Sequence, residues 1–142
     1  MSFWDSSAIV PLCAFQQNSA VACSFSRKLP EKIVWRESVV EVSSAFARLQ
    51  RDGLIDESTR QRFEGRLIRL EADWTTVGER GRIIELARTL PALYGLRAMD
   101  SLQLAAALVW CKEYPKNKDF VSADARLCKA AESTGFTVHH LS

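Results

Sequence analysis

Between Met1 and Ser26 the chain carries one charged side chain, Asp5, placed directly after the apolar stretch SFW and before the uncharged run SSAIVPLCAF. A carboxylate among residues destined for burial is costly to desolvate. It must be protonated, paired with a cation from elsewhere in the chain, or bound to a metal. Its position also marks a boundary, because an Asp that closes a short strand is a ready N-cap for the helix that follows. The chain therefore opens as strand, acid, helix, with Pro11 expected to bend or shorten that helix.

The same alternation continues to the end of the sequence. NSAVACSFSRKL reads as a helix capped by Asn18 or Ser19, KIVWR as a strand, and ESVVEVSSAFARLQRDG as a helix stopped by Gly53. DESTRQRFEGRLIRLEA predicts a helix capped by Asp56, with Phe63, Leu67 and Leu70 on one face. WTTV follows as a strand and GERGRIIELARTL as a helix ended by a loop at Pro91. The last third repeats the opening: helix DSLQLAAALVWCKEY, turn PKNK, strand DFVSA, helix DARLCKAAESTG and strand FTVHHL. Strands alternating with helices predict an α/β fold, a central parallel sheet flanked by helices in three layers, formed by residues 1–142 as a single domain. In such sheets ligands sit at the carboxyl ends of the strands.

Two more acids share the isolation of Asp5. Glu41 is the only charge between Ser38 and Ala47, and Asp100 the only one between Ala98 and Cys111. Asp124 joins them by position, since like Asp5 it closes an apolar strand and opens a helix. Asp5, Asp100 and Asp124 could each be no more than a helix cap, and Glu41, read as mid-helix, could be paired with Arg48. A cap can still be a ligand, because the backbone N–H engages only one carboxylate oxygen. Acids from four separated segments, delivered to one sheet edge, would form an oxygen-only site suited to Mg²⁺ or Mn²⁺ and unsuited to zinc.

Composition limits the alternatives. At 142 residues and 47% hydrophobic the chain can bury roughly 68% of its unfolded surface in one core. A net charge of +2 neither demands nor excludes a nucleic-acid partner, although fourteen of the nineteen Lys and Arg fall in residues 27–97. The uncharged start lacks the cationic opening of a secretory signal, and no apolar run is long enough to span a bilayer, so a cytoplasmic, membrane-free protein is expected. Cys13, Cys23, Cys111 and Cys128 match no zinc or redox spacing and read as reduced thiols. The four Trp read as core residues. His139 and His140 read as structural or exposed.

The chain resembles PIN-domain ribonucleases, and more narrowly the VapC-type toxins of bacterial toxin–antitoxin pairs. The resemblance is carried by WDSSAIV with Asp5, ESVVEVSSAFAR with Glu41, ADWTTV, YGLRAMDSLQLAAAL with Asp100 and DFVSADARLCKAAESTGFTV with Asp124. It departs mildly at Ser122, where Thr is frequent, and at Gln103, where His is frequent. It implies a metal-dependent endoribonuclease that hydrolyses RNA phosphodiesters with a carboxylate-bound Mg²⁺ or Mn²⁺. Asp5, Asp100 and Asp124 would ligate the metal, and Glu41 would hold or deprotonate the attacking water. Ser6, Arg97 and Ser122 are candidate substrate contacts, with a capping role as the simpler reading for Ser6 and Ser122. Arg48, Arg51 and Arg126, and the row Arg60, Arg62, Arg66 and Arg69, are further cations for RNA, the row reading more simply as a solvated face with partners such as Glu64. The implied partners are an RNA substrate, a homodimer mate and a small antitoxin, for which Val39, Val42 and Phe46 are candidate groove walls unless they are core. Two other classes stay open: a receiver-like phosphoacceptor domain, weakened by the single acid of FWDSS, and a catalytically idle module that binds an antitoxin.

Overall fold

A computed structural model describes residues 1–142. The five strands are β1 (Ser2–Trp4), β2 (Lys32–Trp35), β3 (Thr75–Val77), β4 (Asp119–Ser122) and β5 (Thr137–His140). All pair in parallel in the order β3-β2-β1-β4-β5. Eight helices connect them: α1 (Ser6–Cys13), α2 (Ser19–Lys28), α3 (Ser38–Arg51), α4 (Glu57–Glu71), α5 (Arg80–Ala87), α6 (Leu90–Tyr94), α7 (Ala98–Trp110) and α8 (Ala125–Thr134).

The period-two alternation of the strands sorts the core into two halves. Phe3, Ile33, Trp35 and Phe120 face α5 to α8, where Ile83, Leu104, Leu127 and Phe136 complete one cluster. Trp4, Val34 and Val121 face α1 to α4 and pack with Ile9, Val42, Phe46 and Phe63. Both faces of the sheet are covered, as an all-parallel sheet requires. The three-layer α/β arrangement expected from the alternation is the one observed.

The strand order places the site. From β1 the chain moves outward through β2 and β3, then crosses back to the far side of β1 for β4 and β5. The connections therefore part between β1 and β4, and a crevice opens at the carboxyl ends of these two strands. This order differs from the 2-1-3-4-5 order of receiver-like sheets, which removes the receiver-like reading.

Several local expectations are revised. Helix α7 begins at Ala98, with Arg97 as its cap residue, so Asp100 lies inside the first turn rather than before the helix. Glu41 also lies in a first turn, that of α3, not mid-helix. Pro91 occupies the first turn of the short α6, where its missing N–H has no partner to lose, instead of a loop. Asn18 makes no cap bond to α2; its amide donates to the Leu141 carbonyl at 3.3 Å. Val42 and Phe46 are fully buried core, which removes them as groove walls. Gly135, at φ 116, ends α8 and turns the chain into β5, and a side chain there would also meet Pro115 at 3.1 Å.

Phe120 is fully buried in the central β4 and packs against the rings of Phe3 and Phe136, each at 5.4 Å between centroids. Phe120→Ala should cost about 3–5 kcal/mol in urea unfolding. Ile84→Ala, at a half-exposed position, should cost about 1 kcal/mol or less. Equal losses would contradict the placement of the core.

Candidate active site

Asp5 leaves β1 at the crevice and caps α1. Its backbone N–H donates to the Val121 carbonyl, which locks it against the end of β4. Asp5 is only 2% exposed. Its Oδ2 accepts the Ser7 N–H at 3.2 Å and its Oδ1 accepts the Ser7 hydroxyl at 2.8 Å. Ser7 Oγ also accepts the Ala123 N–H at 2.9 Å and stands 3.2 Å from Ser122 Oγ. Ser122 Oγ in turn accepts the Asp124 N–H at 3.0 Å. Ser7 and Ser122 thus stitch the end of β1 to the turn that carries Asp124.

Asp124 caps α8, accepting the Leu127 N–H at 2.8 Å through Oδ1 and leaving Oδ2 without a partner in the chain. Asp100 makes no hydrogen bond within the chain and lines a cleft of about 290 Å³ with Arg97, Asp124, Ala125 and Arg126. Glu41 points across α3 towards α7. Its Oε1 accepts the Gln103 amide at 2.6 Å, and the same Nε2 reaches Ser38 Oγ at 2.9 Å. Gln103, not Arg48, is therefore the partner of Glu41, and the buried Gln103 Oε1 is left without a donor.

The four acids stand close enough to perturb one another in sequence around the crevice. Burial pushes the Asp5 carboxyl up to about 7, against the hydrogen bonds from Ser7 and Ser122 and with a further upward push from Glu41. Burial likewise raises Glu41, opposed by Gln103 and Ser6 and reinforced by Asp100. Asp100 is raised by burial and then by Asp124, while Arg97 and Arg126 pull it back. Each acid faces the next, yet no three His, Cys, Asp or Glu side chains are grouped tightly enough to hold a metal ion as they stand. The donor chemistry nonetheless suits a hard divalent cation: an unbonded Asp100, a free oxygen on Asp124, and mutual repulsion that a cation would relieve.

All four acids nominated from sequence lie around this crevice, and Arg97, Ser6 and Ser122 lie beside them. The α4 arginines do not. Arg66 donates to the Cys13 carbonyl at 2.7 Å and Arg60 to Gln50 at 2.6 Å, so they brace helices, while Glu64 accepts from Ser43. His139 bonds Asp119 at 2.8 Å and is structural. Ser7 and the clamping role of Gln103 were not found from sequence. The signal available for Ser7 was its place two residues after a capping Asp, where an Asx-type contact is common.

No family model and no curated protein matches the chain. Solved structures do. The crystal structure of FitAcB from Neisseria gonorrhoeae contains a chain that aligns with 99% of this one and 97% of its own length, at 16% identity and a TM-score of 0.66. The fold is PIN-like. A chain of a toxin–antitoxin complex from Klebsiella pneumoniae aligns over 87% of both chains at 14% identity and a TM-score of 0.61. Within this PIN-like frame, no helix is long and apolar enough to cross a membrane.

The raised carboxyl of Asp5 has a consequence for stability. Because its folded value lies above its unfolded one, the folded chain holds this proton more tightly. The associated stability is complete below about pH 4 and is lost as pH rises towards about 7. Glu41 and Asp100 shift in the same direction. In EDTA, the unfolding free energy from urea curves should therefore be higher near pH 5 than near pH 7, by about 2–3 kcal/mol from Asp5 alone. Asp5→Asn should remove most of that slope. A variant that keeps the wild-type pH dependence would show that Asp5 does not carry the buried proton.

Proposed function

We propose that this protein is a Mg²⁺- or Mn²⁺-dependent endoribonuclease, the VapC-type toxin of a toxin–antitoxin pair, acting in the cytoplasm as a homodimer. The observation that carries the reading is the run of mutually perturbing acids, Asp5, Glu41, Asp100 and Asp124, at the switch point of a PIN-like sheet, with Arg97 and Arg126 on its rim. The structural likeness to a chain of a toxin–antitoxin complex supports the toxin role and an antitoxin partner.

Asp100 and Asp124 offer the free oxygens that would hold the ion, with Asp5 as the third ligand once an oxygen is released from Ser7. When bound, the ion supplies Lewis-acid neutralisation of the charge that develops on the phosphoryl oxygens. Arg97 and Arg126 flank the cleft and orient the phosphodiester by its nonbridging oxygens. Glu41 is the general base. Its raised pKa brings it nearer to neutrality, where a base is most effective, and Gln103 fixes the carboxylate so that one oxygen is left to take the proton of an attacking water. Ser7 and Ser122 hold the two strand ends at a constant separation.

A second reading has an observation of its own. Asp5 is satisfied internally by Ser7 and no three acids already converge, as they would in a catalytically idle module that only binds an antitoxin. Purified protein incubated with labelled RNA separates the two. Cleavage should appear in Mg²⁺ or Mn²⁺ and stop in EDTA, and Asp100→Asn should reduce it by about 10²-fold or more while melting as a folded protein. Absence of cleavage in wild type favours the idle module. Full activity of Asp100→Asn, free of host nucleases, overturns the assignment of Asp100.

A further inference from the structure

The largest cavity of the molecule is not the acid cleft but a groove beside it. It holds about 650 Å³ between the end of α6 and the outer face of α8, and is lined by Leu93, Tyr94, Gly95, Arg126 and Lys129 among others. It shares Ala125 and Arg126 with the acid cleft, so the two adjoin at the start of α8. The groove differs from the cleft in charge. Its charged side chains are the cations Arg126 and Lys129, both exposed, and neither forms an ion pair within the chain. The ion pairs of the protein involve other residues, chiefly on α5 and β4–β5.

The spacing on α8 is informative. Arg126 and Lys129 are three residues apart on one helix, which places their stems roughly 5–6 Å from each other on the same face. That separation is comparable to the spacing of successive phosphates along a nucleic-acid strand. The opposite wall is aromatic and aliphatic: Tyr94 lines the groove while packing partly against the core, and Leu93 is 68% exposed. Gly95, in the left-handed region at φ 64, ends α6 and leaves the floor between the walls open, with no atom within 4 Å of where a side chain would begin. A cationic rail facing an aromatic shelf is the arrangement that binds single strands, with phosphates on one side and a base stacked on the other.

We infer that the α6–α8 groove is the binding track for a single-stranded RNA segment flanking the scissile phosphate, with Arg126 and Lys129 holding consecutive phosphates and Tyr94 stacking an unpaired base. The assignment rests on the nuclease reading and gives it a direction, since the strand would leave the acid cleft over α8. The lining favours this occupant over a protein segment: Arg126 and Lys129 are unpaired cations with no acid among the groove residues, spaced to take successive phosphates, and Tyr94 offers a ring to an unpaired base. A duplex is disfavoured because its bases are not free to meet Tyr94.

The test uses the full chain and a fluorescent 12-nucleotide single-stranded RNA in Mg²⁺, with binding followed by anisotropy and cleavage by gel on the same samples. Lys129→Glu should weaken binding about tenfold, and Lys129→Ala should lower the salt slope by about 0.7, the value for one phosphate contact on a single strand. Tyr94→Leu, which keeps apolar packing, should weaken binding about fivefold or more. Lys116→Glu, an equal charge reversal in the exposed turn before β4, should bind as wild type. The proposal is overturned if wild type binds no RNA, if Lys129→Glu and Tyr94→Leu bind as wild type, if Lys116→Glu loses as much, or if duplex RNA of the same sequence binds equally well. It is also overturned if these variants lose antitoxin binding while RNA binding is unchanged. Groove-dependent binding without cleavage would leave the track in place and remove the nuclease reading, whereas cleavage with groove-independent binding would do the reverse.

Discussion

The rest of the site depends on one short piece of chemistry: the end of β1 tied to the end of β4. The Asp5 N–H to Val121 carbonyl bond continues the ladder one step beyond the strand, and the Ser7 and Ser122 hydroxyls carry the link on to Ala123 and Asp124. The link lies where the chain connections part, so it is the only place on the sheet where two adjacent strand ends are not covered by the helix joining them. It buries one carboxylate almost completely and leaves a second at the mouth. Helices α1 and α8 both start there, each with an Asp as cap, so their amide ends add positive potential to an acidic centre.

Around that tie the electrostatics are graded. The most buried acid, Asp5, is held by hydroxyls and an amide and by no cation. Asp100, nearer solvent, faces Arg97 and Arg126. Beyond them, α8 contributes Lys129 to a groove with no acid in it. Moving outward, the surface passes from a place that repels phosphate to one that attracts it. Glu41 has a neutral amide partner, which fixes its position without neutralising it. An Arg in that place would have formed a tight ion pair and depressed its pKa.

Much of this was legible in the sequence because burial patterning and isolated charge are both local signals. The strand–Asp–helix pattern at SFWDSS and at FVSAD identified the two strand ends, and a parallel sheet places both on the same edge, but only the observed strand order makes them neighbours. Strand order was not legible, because any permutation of five parallel strands is compatible with the same alternation of elements. The start of α7 was missed since Arg97 is an unusual cap residue and Asp100 a familiar one, so the acid was assigned the boundary rather than the first turn. The partner of Glu41 was missed for a related reason: charge pairing with Arg48 is visible within one helix, whereas Gln103 comes from a segment 62 residues away. The α4 arginine row read more simply as a solvated face, and what sequence could not show is that Arg66 is held by the Cys13 carbonyl and Arg60 by Gln50, partners from outside α4.

In the proposed nuclease Asp5, Asp100 and Asp124 would hold a divalent cation once one is offered, although no three acids are grouped to hold it as they stand. The most direct measurement is a titration of the chelator-treated protein with Mn²⁺ at neutral pH, with the free ion followed by electron paramagnetic resonance. The account predicts saturable binding by wild type, lost or strongly weakened in both Asp100→Asn and Asp124→Asn and unchanged in Lys116→Glu. Wild type that leaves all Mn²⁺ free at millimolar concentration, or Asn variants that bind it as well as wild type does, would contradict it.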